Sequence, residues 1–302
     1  MVGFEEHLRG ELGRSALTVE AYLRDLEAFA AYMASPDGFS PEEVGTNDVR
    51  SFLADRSRKG DSARTLRRKT QSLRAYFRYL RHRGLSTTNP AADIALAKPD
   101  KPLPEFVPTH QMEEVLSNFQ EEASASNPDH ARDSLIIELL YSTGIRQAEL
   151  LALRERDLNV ATCELRVTGK RRKQRVLPIP KELVDKMVAY REELNSKGAP
   201  PDSFFEGSRG KPLSKTTLYR IVNKSLTGAN CPKKSPHTLR HTFATSMLNN
   251  GADLNTVKEF LGHSRLDTTQ IYTHVSFAEM KRAYIGAHPR SQQADTDPKN
   301  KK

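Results

Sequence analysis

Residues 98–108 read Lys-Pro-Asp-Lys-Pro-Leu-Pro-Glu-Phe-Val-Pro. Each proline removes a backbone donor and pushes the residue before it out of the helical region. Neither a helix nor an inner strand can run through such a stretch. The segments on both sides carry helical periodicity, so this one is expected to be an extended linker between two domains. The expected division is a helical domain over 1–97, the linker over 98–108, a second domain over 109–287 and a polar tail over 288–302. A chain of 302 residues is long enough to bury two cores.

In the first part, Val19, Tyr22, Leu23, Leu26, Phe29, Ala30 and Met33 make an apolar stripe over 15–33. Ser40-Pro41-Glu42-Glu43 opens a short element, and Val49, Phe52 and Leu53 mark another. Residues 62–83 predict a longer helix that buries Leu66, Leu73, Tyr76, Phe77 and Leu80. Its other faces carry Arg64, Arg67, Arg68, Lys69, Arg74, Arg78 and Arg81, with no acid at i±4. A solvated helix usually mixes the signs of its charges. This one is expected to lie along a DNA backbone and neutralise phosphates.

The net charge of +9 and the isoelectric point near 9.5 agree with a polyanionic partner, although a basic solvated surface gives the same numbers. Two cysteines, Cys163 and Cys231, make neither a disulfide framework nor a metal quartet, which fits a reducing compartment. No stretch is apolar enough to span a bilayer, and residues 1–11 lack the build of a signal peptide. A cytoplasmic, nucleoid-associated protein with no membrane partner is expected.

In the second part, Leu135, Ile136, Leu139 and Leu140 predict a buried helix stopped by Gly144, and Arg146 then opens another helix with Glu149. Two short strands, 165–168 and 176–179, flank a basic hairpin tip, Gly169-Lys170-Arg171-Arg172-Lys173. A helix over 181–194 is followed, after a Gly/Pro-rich loop, by one over 213–226 that carries Lys215, Arg220 and Lys224. Ser235 is an N-cap and Pro236 fits the first helical position. Leu239, Phe243 and Met247 face a core, while His237 and Arg240 share another face. Asp253 caps a helix that Gly262 ends in the left-handed conformation. His263 follows, and a capping box at Ser264 and Asp267 opens the helix that carries Tyr272. A last capping box, Ser276 with Glu279, opens a helix bearing Phe277, Met280 and Tyr284.

Arginine suits a phosphate, and a tyrosine can attack phosphorus if something removes its proton. His237 and His241 have the i, i+4 spacing of zinc helices. However, no glutamate follows the first histidine and no cysteine pair is near, so no metal is expected. The order His237-x-x-Arg240, Leu261-Gly262-His263, Tyr272 resembles the C-terminal signature of the tyrosine recombinases (the integrase family), most closely its Xer branch. Upstream, Ser142-Thr-Gly-Ile-Arg146-Gln-Ala-Glu149-Leu resembles the first arginine motif of the family, and Thr168-Gly-Lys170-Arg-Arg-Lys-Gln-Arg175 its lysine hairpin. Each box alone is weak, but the ordered set is specific.

The resemblance implies a mainly α fold with a small β-hairpin or sheet, in which two domains clamp double-stranded DNA. It implies that Tyr272 is the nucleophile and forms a 3′-phosphotyrosyl link. His237 is then the base, Arg146 and Arg240 bind the non-bridging oxygens, and His263 adds a hydrogen bond. Lys170 protonates the leaving 5′-oxygen, and Glu149 orients the first arginine. The family often has a glycine where Arg171 stands, which leaves Lys173 as an alternative acid. Arg64, Arg67, Arg68, Lys69, Arg74, Arg171, Arg172, Lys173, Lys215 and Arg220 are the expected DNA contacts. The phosphoester energy stays in the tyrosyl bond, so no cofactor is needed. By resemblance the active form is a homo- or hetero-tetramer on two DNA sites, joined through the C-terminal helix and passing through a Holliday junction. Chromosome or plasmid dimers are the expected substrates. Open alternatives are the integrase of a mobile element or integron, a type IB topoisomerase and a non-catalytic helix-turn-helix regulator. Involvement of a second recombinase or a DNA translocase is also open.

Overall fold

The computed structural model describes residues 2–34, 40–96, 106–122, 128–169, 173–196, 198, 203–207, 210–262 and 277–292. The chain divides into two compact units, Met1–Pro102 and Leu103–Lys302.

The first unit is helical. Helix α1 (Val2–Glu6) runs on into a π-helical turn, His7–Glu11. It is followed by α2 (Ala16–Met33), α3 (Thr46–Arg58) and α4 (Ala63–His82). Ser15 and Ser62 cap α2 and α4, each hydroxyl accepting from the backbone N–H three residues on. The core closes over Leu26, Phe29, Phe52, Leu73 and Phe77, with Phe29 and Phe52 edge to face at 5.1 Å.

The basic helix α4 is not one solvated face. Lys69 is only 6% exposed and pairs with Asp25 of α2 at 3.4 Å. Arg68 donates to the same buried carboxylate, and so does the Ser72 hydroxyl, at 2.8 Å. Arg74 spends its guanidinium on backbone carbonyls, Ala91 at 2.8 Å and Ile94. Arg68, Lys69 and Arg74, expected as DNA contacts, thus make bonds that hold this unit together. Lys69 lies one turn before Leu73 on the buried stripe, and a buried ammonium needs a counter-charge. That charge comes from α2, far away in the sequence. Arg64, Arg78 and Arg81 are exposed and Arg67 is half-buried.

Most of the expected linker lies outside the described residues. Its last part belongs to the second unit: Val107 is 1% exposed, and its N–H donates to the Thr242 hydroxyl at 2.9 Å.

In the second unit, α5 (Thr109–Glu122) is followed by α6 (Pro128–Thr143) and the short α7 (Gln147–Leu151). The strands β1 (Leu158–Asn159), β2 (Glu164–Thr168) and β3 (Gln174–Pro178) form an antiparallel sheet in the order β1-β2-β3. Then come α8 (Lys181–Ser196), α9 (Lys215–Ser225), α10 (Pro236–Asn249), α11 (Leu254–Leu261), α12 (Phe277–Ala287) and α13 (Pro289–Gln292). Helix α6 is packed by α5, α8, α9 and α10. That is why Ile136, Ile137, Leu139, Leu140 and Tyr141 are all fully buried and the helix has no polar stripe there. Gly144 ends it with φ +59°, where a Cβ would stand 2.4 Å from the Phe243 ring. Among the described residues, no helix is long and apolar enough to cross a membrane.

Met280 and Tyr284 of α12 are buried in the core of their own unit. One expectation for the C-terminus is corrected, since the expected polar tail begins too early. His288 is fully buried, its Nε2–H donating to the Tyr141 carbonyl at 3.2 Å and its Nδ1 accepting from the Arg290 N–H. Arg290 donates at 2.5 Å to Glu138, which also pairs with Lys186 at 2.7 Å. Composition marks His-Pro-Arg as polar, but its partners are supplied by α6. Residues 293–302 lie outside the described residues.

Burial lowers the His288 pKa from 6.5 to about 3, against the hydrogen bond to Tyr141. The folded state thus keeps His288 neutral, while the unfolded chain takes up the proton below 6.5. Stability present above pH 6.5 is lost as the pH falls toward 3. By pH 5 the loss is about 2 kcal/mol, at about 1.4 kcal/mol per pH unit. Carboxylates titrate mostly below this range and the other eight histidines are common to parent and variant, so the difference between parent and His288→Gln urea midpoints at pH 7 and 5 isolates the effect. His288→Gln should be less stable at pH 7 and nearly flat over the same range. A parent midpoint that does not change with pH would show that His288 is protonated in the fold.

Candidate active site

The left-handed turn at Gly144 places Arg146 at the N-cap of α7. Its backbone N–H donates to Glu149 Oε2 at 2.7 Å, the N3 half of a capping box. Its side chain donates to Glu149 Oε1 at 2.9 Å and to the Gly262 carbonyl at 2.8 Å. Ser235 caps α10 by accepting from the Thr238 N–H at 3.3 Å, which fixes the turn that carries His237 and Arg240. Arg240 is 8% exposed and donates to the carbonyls of Gly144 at 2.6 Å and Leu261 at 2.5 Å. A third arginine joins them from β3. Arg175 donates to the Phe260 carbonyl at 2.7 Å and grips both Glu149 oxygens at 2.8 and 2.9 Å.

The carbonyls of Phe260, Leu261 and Gly262 thus each receive one arginine, from β3, α10 and α7 in turn. These carbonyls sit at the end of α11, where a helix leaves acceptors unsatisfied and carries negative partial charge. Among the described residues, three guanidiniums face one carboxylate, so the cluster holds surplus positive charge. Burial pushes the Glu149 carboxyl up, but the hydrogen bonds from Arg175 and from the Arg146 backbone, with the charge of Arg175, win and hold it at about 2. Arg240 is pulled down to about 10, first by burial and then by the charge of Arg146. It stays protonated at neutral pH and would gain from an anion alongside. The Arg146 side chain is 35% exposed, which leaves one arginine of the cluster open to such an anion.

His237 is exposed on the first turn of α10, one turn before Arg240. Lys173, Lys215 and Arg220 are exposed. The start of α9 is tied to α7, where Gln147 donates to the Lys215 carbonyl at 3.4 Å. The hairpin closes with the Gly169 N–H donating to the Lys173 carbonyl at 2.8 Å. Its base rests on the cluster, since a Cβ on Gly169 would stand 3.2 Å from Glu149 Oε1. Lys170, Arg171, Arg172, His263 and Tyr272 lie outside the described residues. The chain leads into two of them from this cluster: Gly169 precedes Lys170 and Gly262 precedes His263.

Sequence reasoning counted Arg175 as the end of the hairpin motif but gave it no role of its own. The signal was its phase on β3. Arg175 alternates with Leu177 and Ile179, which are 0% and 4% exposed. An arginine on the inward phase of a strand requires a buried partner.

Residues 105–279 match the model of the phage integrase family, and residues 1–84 match the phage integrase N-terminal SAM-like domain. The chain is a tyrosine recombinase of the phage integrase family. This recombinase is 37% identical over 297 residues to tyrosine recombinase XerC of Bacillus pumilus (strain SAFR-032), covering 95% of each chain. It is 36% identical over 287 residues to tyrosine recombinase XerD of Listeria monocytogenes serotype 4b (strain F2365), covering 93% of this chain and 95% of that one. Its fold is shared with XerH site-specific recombinase bound to a palindromic difH substrate in a post-cleavage complex. That match has a TM-score of 0.71 at 22% identity, over 92% of this chain and 79% of the other. A Tn1549 transposon integrase in complex with transposon right-end DNA also shares it, with a TM-score of 0.71 at 21% identity over 97% and 96% of the two chains.

Proposed function

We propose that this recombinase cuts and rejoins double-stranded DNA at specific sites, in the manner of the Xer proteins. Tyr272 attacks the scissile phosphorus, and His237 takes the phenolic proton. The bond to the 5′-oxygen breaks, and that oxygen takes a proton from Lys170, leaving a 3′-phosphotyrosyl link and a free 5′-hydroxyl. Arg146 and Arg240 stabilise the charge that builds on the non-bridging oxygens, with His263 beside them. A 5′-hydroxyl from a second duplex then attacks the phosphotyrosyl bond and releases Tyr272. A reciprocal pair of such exchanges produces a Holliday junction, and a second pair resolves it. In this reading the enzyme acts as a homo- or hetero-tetramer on two sites. Arg64 and Arg67 of α4, the hairpin residues Arg171, Arg172 and Lys173, and Lys215 and Arg220 of α9 contact the DNA backbone. Kinship with XerC and XerD proteins favours resolution of chromosome or plasmid dimers over integration of a mobile element.

The observation that carries the reading is the arginine cluster. Arg146 and Arg240 are fixed by backbone carbonyls at a point of surplus positive charge, each with one bond to the chain segment that leads into His263. Such preorganised donors suit a phosphate whose charge grows in the transition state. A random-sequence duplex pool tests the proposal. The pool is incubated with the protein and denatured, and the covalently trapped DNA is sequenced. A single recurrent site, cut to leave a tyrosyl 3′-phosphate, is the expected result. Binding without any adduct would favour a non-catalytic regulator, and adducts spread over unrelated sequences would favour a topoisomerase.

A further inference from the structure

We infer that Arg175, on β3, is a positioning residue that sets the reach of Arg146. This rests on the reading of Arg146 as a ligand of the scissile phosphate. Arg175 has no free approach to a substrate of its own. Its side chain is 14% exposed, and three of its donors are committed, one to Phe260 and two to Glu149. Its effect passes through Glu149. That carboxylate is 4% exposed and accepts four hydrogen bonds, two from Arg175 and two from Arg146.

Removal of Arg175 changes the balance. A buried carboxylate cannot stay half-satisfied, and among the described residues the cation that remains bonded to it is Arg146. Arg146 now divides its side chain between Glu149 Oε1 and the Gly262 carbonyl, which holds the guanidinium across the cluster. Without Arg175, Glu149 would offer both oxygens to a forked pair with Arg146, the geometry an arginine prefers. The guanidinium would turn inward, away from an anion. Arg175 therefore shares the carboxylate so that Arg146 remains available. Gly262 makes room for it: with φ +58°, a Cβ there would stand 3.1 Å from Arg175 Nη1. Through the Phe260 carbonyl, Arg175 also clamps β3 to the end of α11, from which His263 departs.

The test uses single-turnover adduct formation on a nicked suicide duplex that carries the site selected from the random pool. Arg175→Ala should bind this duplex within a few-fold of the parent and form adduct on the order of 10²-fold more slowly, the effect of a small misplacement of a reacting group. Arg175→Lys should not recover, because an ammonium cannot replace a planar fork. A second duplex, with a neutral methylphosphonate at the scissile position, separates positioning from loosening. Less charge needs neutralising there, so the deficits of Arg146→Ala and Arg175→Ala, each relative to the parent, should shrink together. Adduct formation by Arg175→Ala at the parental rate would overturn the inference. So would an equal deficit of Arg175→Ala on the two duplexes. A parent that forms no adduct on either would instead remove the underlying reading of the reaction.

Discussion

Tyr272→Phe should abolish the covalent protein–DNA adduct while DNA affinity stays near that of the parent. The substitution removes one hydroxyl and no charge, so the basic surface that meets phosphates is unchanged. In the proposed reaction this removes the nucleophile. Among the other tyrosines of the second unit, Tyr141, Tyr190 and Tyr284 are buried. Burial pushes each of their hydroxyls up from the ordinary value of 10, which makes the phenolate harder to form. Tyr219 is 44% exposed and is the one to control for. Denaturing electrophoresis after incubation with labelled duplex reads the adduct directly. Adduct from Tyr272→Phe at the parental level, lost in Tyr219→Phe, would transfer the role.

Lys170→Ala separates the leaving group from the rest of the reaction. An alkoxide leaves poorly and needs a proton as its bond to phosphorus breaks. A thiolate is far less basic, since a free thiol has a pKa of about 8.5, and it leaves without one. Loss of the general acid should slow cleavage of an ordinary duplex on the order of 10²–10⁴-fold. Sulfur in place of the bridging 5′-oxygen should restore most of the parental rate to Lys170→Ala. Arg146→Ala should gain nothing from sulfur, because in the proposed reaction its contacts are to non-bridging oxygens. Lys173→Ala decides the register of the hairpin. Rescue by sulfur of Lys173→Ala, and not of Lys170→Ala, would assign the acid to Lys173.

Local signals were read well where the physics is local. The Ser235 cap, the left-handed turns at Gly144 and Gly262 and the Leu239–Phe243–Met247 stripe each depend on residues within about one turn, and all are present. Composition was a poorer guide. It described α4 as a basic face and 288–302 as a polar tail, although Lys69 and His288 are buried. Charge along a helix shows where cations occur, not whether a carboxylate from another element has already taken them.

The sequence by itself determined the helix ends, the inward faces and the order Arg146, Lys170, His237, Arg240, His263, Tyr272, because caps, turns and periodicity act over a few residues. Tertiary structure alone decided which cations are free. Asp25 reaches Lys69 and Glu138 reaches Arg290 from distant parts of the chain. Arg175 meets Glu149 and Phe260 only because β3, α7 and the end of α11 converge. A buried charge must find its partner wherever the fold brings one within about 3 Å, and no spacing rule along the chain encodes that meeting.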